Sequence, residues 1–212
     1  MEAMADTGGI TVRGRGVAVR TPDLARVTVG VEVTEAGAAD AQARASERMA
    51  TVIDAVREAG VAARDVATTR IALGAAWDYS GPAPRMTGYT ATQTLAVRVR
   101  ALGALGGVID AAVRAGATTV ESVSLEVADA STALAEARDA AMADATAKAA
   151  ALARAAGVSL GRAVAIREGV GGGMPVPMVK AARMEMAAGA PPVEAGETEL
   201  SVELEVTFAI LG

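Results

Sequence analysis

From Glu199 to Ile210 apolar and polar residues alternate without a break, and no other stretch constrains the fold so tightly. Leu200, Val202, Leu204, Val206, Phe208 and Ile210 form one row. Glu199, Ser201, Glu203, Glu205, Thr207 and Ala209 form the other. A period of two places one row on a core and the other outward, so this is a strand with one covered face. A second alternating run sets Val27, Val29, Val31 and Val33 against Arg26, Thr28, Gly30, Glu32 and Thr34. A strand from Ile10 to Arg20 precedes it, separated by the turn signal Thr21-Pro22-Asp23, which predicts a hairpin between the two. Gly14 and Gly16 in the earlier strand predict a bulge or a close backbone approach.

Helical spacing follows. Ala45, Met49, Val52, Ile53 and Val56 predict a helix over 37–59, closed by Gly60. Strands are expected near 65–78 and from Tyr89 to Arg100, and a helix over 102–115 with Leu105, Val108, Ile109 and Ala112 inward, closed by Gly116. After a strand at 119–128, the longest helix spans 130–156. Ala137, Ala141, Ala145 and Ala149 recur there every four residues, with Leu134 and Leu152 extending the stripe. It closes at Gly157, before a short strand at 162–168. Val52–Gly60 echoes Val108–Gly116. The echo reads either as two duplicated strand–helix–strand units with a third helix–strand, or as Ala-rich helices converging on similar ends. The expected class is α+β: two strand–helix–strand units, a third long helix and a mainly antiparallel sheet. The expected organisation is a tail at 1–8 and one domain over 9–212, with a long Gly/Pro/Met loop at 169–196.

Composition narrows the chemistry. The 212 residues hold no His and no Cys, which removes the commonest general base, the thiolate nucleophile, soft metal ligands and disulfides. Hydrophobic residues are 52% but aromatic ones only 2%, so the core is built from small and aliphatic side chains. Such a core buries little area per residue, and a chain of this kind gains from burying more against its own copies. Net charge is −5 with no basic block, which argues against nucleic acid. No run of 18 apolar residues predicts a membrane span, and Met1–Asp6 lacks the basic and apolar regions of a secretory signal. The chain as written reads as cytoplasmic, or as periplasmic or secreted if a leader has been removed.

Several clusters invite a functional reading. Trp77-Asp78-Tyr79 runs into the turn Ser80-Gly81-Pro82 and offers an interface anchor or a stacking site for a ligand, with Tyr89 close by in sequence. Met174, Met178, Met184 and Met186 could bind copper(I), but without His or Cys they read better as loop packing or a partner-facing surface. The glycines 171–173 lack the Lys-Ser/Thr that a phosphate loop needs. Glu197, Glu199, Glu203 and Glu205 share one strand face and read as a solvated ladder, or as partners of arginines such as Arg98 and Arg100. They point the same way in a row and do not converge on a metal. Asp144 and Lys148, four apart on a helix, predict a surface ion pair. No nucleophile elbow occurs, and no catalytic, cofactor-binding or metal-binding residue is assigned.

Pro22-Asp23-Leu24-Ala25-Arg26-Val27 with Gly30-Val31, Trp77-Asp78-Tyr79, and Gly88-Tyr89-Thr90-Ala91 leading to Val97-Arg98-Val99-Arg100 together resemble the SIMPL-domain family. Asp144-Ala145, Lys148-Ala149, Leu152-Ala153, Ala156-Gly157 and Leu160-Gly161 match that family's long helix and its exit. The resemblance covers about residues 9–211 and is similar to the bacterial periplasmic immunogenic proteins of the family. It implies an α+β domain, large ring- or channel-shaped homo-oligomers, and links to envelope or oxidative-stress physiology. It implies no catalytic residue. The leading functional expectation is a non-enzymatic self-assembling protein whose partner is itself, with an unknown protein or small molecule as a further partner. The alternative is a ligand-binding or regulatory module using Trp77, Tyr79 and Tyr89.

Overall fold

The computed structural model describes residues 8–169, 176–178 and 195–211. They form β1 (Gly9–Arg20), β2 (Leu24–Glu35), α1 (Ala38–Glu58), β3 (Val66–Asp78), β4 (Arg85–Val99), α2 (Leu105–Arg114), β5 (Thr119–Glu126), α3 (Ser131–Ala156), β6 (Ser159–Glu168), β7 (Val176–Met178) and β8 (Glu197–Leu211). Every strand pairing among them is antiparallel, so the protein is α+β. The chain divides into two compact units. One holds β1, α3, β6, β7 and β8; the other holds β2 to β5 with α1 and α2.

In the second unit the strand order is β3-β4-β2-β5. Chain order is strand–helix–strand twice over, the split β-α-β arrangement in which two such halves interleave. Val27, Val29 and Val31 fill the inner row of β2, which lies between β4 and β5. They pack with Ala45, Met49, Val52 and Val56 of α1 and Leu105, Val108 and Ala112 of α2. A fully buried Val or Leu contributes about 1.5–3 kcal/mol, so this Val-rich cluster is the stronger core.

The first unit has the order β1-β8-β6, with β7 pairing the start of β8. Here α3 lays Ala137, Ala141, Ala145 and Ala149 on the sheet, all fully buried. Methyl groups bury little area, but they allow a very close approach. Cβ atoms built on Gly14 and Gly16 would collide with the carbonyl oxygens of Ala141 and Ala137. The β1–β8 register runs unshifted from Gly9↔Ala209 to Arg20↔Thr198. The two glycines therefore mark a close approach and no bulge. The stripe continues through Ala133 and Ala153, four residues beyond each end. Leu152 stands exposed, contrary to its expected place on the stripe, because the four-residue spacing carries the stripe through Ala153 instead.

The predicted hairpin between 10–20 and 26–34 does not form. All of β1 pairs with β8, whereas β2 pairs with β4 and β5 in the other sheet. Two facts explain this. The small face of β1 lies against the alanine stripe of α3, and the Val row of β2 lies under α1 and α2 in the other unit. Residues 21–23 thus carry the chain from one unit to the other.

All three helices close with the same hydrogen-bond pattern. Val61 N–H donates to Val56 O at 3.3 Å and Gly60 N–H to Arg57 O at 2.9 Å. Ala117 donates to Ala112 at 3.0 Å and Gly116 to Val113 at 3.1 Å; Val158 donates to Ala153 at 3.0 Å and Gly157 to Arg154 at 3.2 Å. This is the Schellman cap, and it needs a left-handed residue at the turn. Gly60, Gly116 and Gly157 supply it with φ of 96°, 108° and 71°. The echoed segments Val52–Gly60 and Val108–Gly116 are the capped ends of α1 and α2.

Candidate functional site

β3 and β4 form a long hairpin whose tip carries Trp77, Asp78 and Tyr79. Trp77 faces Met86 in register, and Asp78 faces Arg85. Asp78 Oδ1 accepts hydrogen bonds from Ser80 N–H at 2.9 Å and Ser80 Oγ at 2.6 Å. These bonds hold its carboxyl below the usual carboxylate range and fix the turn. Arg85 lies 3.9 Å from its other oxygen. Asp78 is thus an ionised turn former.

The apolar residues around it remain uncovered. Trp77 is 49% exposed, Tyr79 72%, Ile71 63% and Leu73 47%; Met86 is exposed as well. Ile71 and Leu73 sit opposite Gln93 and Ala91, which are buried on the helix-covered face. The row therefore continues the core face out to the last strand, where no described element covers it. Tyr89 behaves differently: it is half-buried and packs against the core. The hairpin thus unites Trp77, Asp78 and Tyr79 in the open, while Tyr89 belongs to the interior.

The methionine group is only partly placed. Met174, Met184 and Met186 lie outside the described residues. Met178 ends β7, whose backbone pairs opposite Glu197–Glu199.

The glutamate face of β8 has partners, although not the expected ones. Glu205 is bridged by Arg13 at 3.6 Å and Arg167 at 3.3 Å, and Glu199 by Arg15 at 3.0 Å. Arg98 and Arg100 lie in the other sheet, so they do not serve this ladder. The true partners come from β1 and β6, the strands beside β8. These exposed pairs are each worth at most about 1 kcal/mol. Asp144 and Lys148 do form their ion pair, at 2.7 Å. They also reach the backbone of β1: Asp144 accepts Arg15 N–H at 2.9 Å, and Lys148 donates to Arg13 O at 3.0 Å.

One cluster escaped the sequence reading. Asp65 follows the cap of α1, and its side chain is 3% exposed. Arg100, at the end of β4, holds it with two hydrogen bonds of 2.8 and 2.7 Å. Arg100's hydrogen bond keeps the Asp65 carboxyl below the usual range, although burial pulls the other way. Nearby, Arg26 grips Glu126 at 2.8 and 3.0 Å and lowers its carboxyl too. Arg98 adds positive charge that both carboxylates feel. A shallow pocket of about 170 Å³ opens here, lined by Gly60, Arg64, Asp65, Arg98, Arg100 and Ala104 among others. Asp65, which lines it, and Glu126 nearby are both committed to arginine forks, which tie the start of β3 to the end of β4 and β2 to β5. Among the described residues no three His, Cys, Asp or Glu are grouped to hold a metal ion. No described helix is long and apolar enough to cross a membrane.

Comparison with known proteins completes the picture. Residues 10–208 match the model of the SIMPL family, described as a protein of unknown function (DUF541). The chain belongs to the SIMPL family. It is 35% identical to the 26 kDa periplasmic immunogenic protein of Brucella melitensis over 95% of this chain and 84% of that one. It is 32% identical to the uncharacterized protein YggE of Escherichia coli K12, over 92% of this chain and 78% of YggE. The YggE protein of Edwardsiella ictaluri is 27% identical over 74% of this chain and 66% of its own. Of the segments that carry the SIMPL likeness, Trp77-Asp78-Tyr79 forms the exposed tip, Gly88–Arg100 is β4, and Asp144–Gly161 is the latter half of α3 with its exit into β6.

Proposed function

We propose that this chain is a non-enzymatic, self-assembling SIMPL protein that forms a large ring- or channel-like homo-oligomer. The observation that carries the reading is the row Ile71, Leu73, Trp77 and Met86, with Tyr79 at its end. It is apolar and exposed, and Ile71, Leu73 and Trp77 lie on the outer strand β3. Contiguous apolar surface on an open sheet edge is a cost unless a partner covers it. The small-residue core of the first unit supports the same reading, since it buries little area by itself. The carboxylates Asp65, Asp78 and Glu126 are each held ionised by local partners, which supports a structural role for them. The periplasmic name of the Brucella relative supports a place for this chain in the periplasm.

The two exposed aromatic groups at the hairpin tip, Trp77 and Tyr79, favour a second reading, a ligand-binding or regulatory module. Trp77 is the single tryptophan, so its emission distinguishes the two. Self-assembly predicts a blue-shifted emission that moves red on dilution, as subunits separate. A small metabolite that shifts the emission of a species remaining at 21.1 kDa would establish the binding module instead.

A further inference from the structure

Among the described residues, both outer strands of the second unit are unpaired on one side. β3 and β5 end the order β3-β4-β2-β5, and no other described strand pairs with either. Native proteins guard such edges. The first unit does so on β1, where Asp144 and Lys148 occupy the backbone of Arg15 and Arg13. β3 carries no comparable guard: between Val66 and Trp77 its one charge is Arg70, which has no ion-pair partner among the described residues.

The two edges match. Every neighbour in the sheet is antiparallel, so β3 and β5 run in opposite directions. A second copy in the same orientation therefore brings its β5 alongside β3 as one more antiparallel neighbour. Apolar residues lie on the same face at both edges; Ile71, Leu73 and Val123 are exposed, and Leu125 is half-buried. Ile71 and Leu73 face the core side, as do Val123, opposite Val27, and Leu125, opposite Ala25. Backbone polarity agrees as well. Thr118 N–H donates to Gly30 O and Thr69 Oγ1 to Thr94 O, so Gly30 and Thr94 turn outward, toward β5 and β3. By the alternation of antiparallel ladders, Ile71 and Leu73 on β3, and Val123 and Leu125 on β5, direct their N–H and C=O away from the sheet.

We propose that β3 of one copy joins β5 of the next in a continuous antiparallel sheet, with Leu73 opposite Val123, Ile71 opposite Leu125 and Arg70 opposite Glu126. This rests on the self-assembly reading and names its interface. The register pairs apolar with apolar on the core face and Arg with Glu on the other. It lies between the bulges, since β3 is regular from Arg70 to Ala76 and β5 from Ser122 to Glu126. A slip of two residues in one direction sets Leu73 against Glu121, and in the other takes Arg70 past Glu126. The contact is head-to-tail, which closes into a ring when the rotation between copies permits.

The chain has no cysteine, so disulfide trapping reports this contact alone. Facing residues on paired strands lie about 5.5 Å apart at Cα, within disulfide reach. Oxidised Leu73→Cys/Val123→Cys protein is expected to give a ladder of dimer, trimer and higher species on non-reducing gels. Each single variant alone should stay monomeric on the gel, and a mixture of the two should stop at dimer. Both side chains are exposed, so folding tolerates the change. A dimer from Leu73→Cys alone would mean that β3 meets β3 and would overturn the proposal. So would a large native mass with no cross-link in the double variant, although self-assembly would then stand. A monomeric native mass for the unaltered chain would end both.

Discussion

The carbonyl oxygen of Ala137 occupies the space where a side chain on Gly16 would begin. Ala141 stands in the same relation to Gly14, so two carbonyls of α3 set how closely the helix lies on β1. A methyl group at position 16 has to push helix and strand apart. Gly16→Ala should destabilise the protein by roughly 1–3 kcal/mol, the usual range for overpacking. At this chain length that lowers the melting temperature by about 2–4 °C per kcal/mol. Gly74→Ala is the control, because a Cβ there meets nothing within 4 Å. Equal melting of Gly16→Ala and the unaltered chain would contradict the close approach.

Asp65 and Arg100 give a pH signature. Their hydrogen bonds lower the Asp65 pKa on folding, with burial opposing. A depressed carboxyl contributes stability that is complete above the unfolded value, near 3.9 for Asp, and is lost as pH falls through the folded value. Asp65→Asn should therefore melt several degrees below the parent at pH 7. The gap should hold down to about pH 5 and narrow below pH 4, as the parent loses the same bond. A gap that widens on acidification would show that Asp65 contributes nothing as a carboxylate. Calorimetric melts of both proteins across this range decide it.

Asp144 has a guarding role on β1. Removing its carboxylate leaves Arg15 N–H without that acceptor at an open sheet edge. In Asp144→Ala the Arg15 amide should exchange with solvent faster, by about an order of magnitude, with little change at amides in α1. Unchanged exchange at Arg15 would mean that the contact is incidental.

Much of the fold was readable from local pattern. The alternation of Leu200 to Ile210 fixes β8, the four-residue alanine repeat marks the buried face of α3, and Gly60, Gly116 and Gly157 end their helices. These features depend on near neighbours and a fixed period. The partner of β1 was not readable, because Thr21-Pro22-Asp23 signals a local turn while the real pairing joins Ile10 to Phe208. Only the fit of Gly14 and Gly16 against α3 selects it. The Asp65–Arg100 fork was hidden for the same reason: its halves are 35 residues apart and belong to no motif. At the candidate site, sequence revealed the turn that exposes Trp77 and Tyr79. It did not reveal that Tyr89, on the neighbouring strand, turns into the core.

Self-assembly is the central claim, and the native mass of the intact chain tests it most directly. Native mass spectrometry at micromolar concentration should find one dominant species at a high integer multiple of 21.1 kDa. Leu73→Glu should shift it toward smaller species, because a charge then interrupts the apolar row. A single species at 21.1 kDa across the micromolar range would contradict the claim.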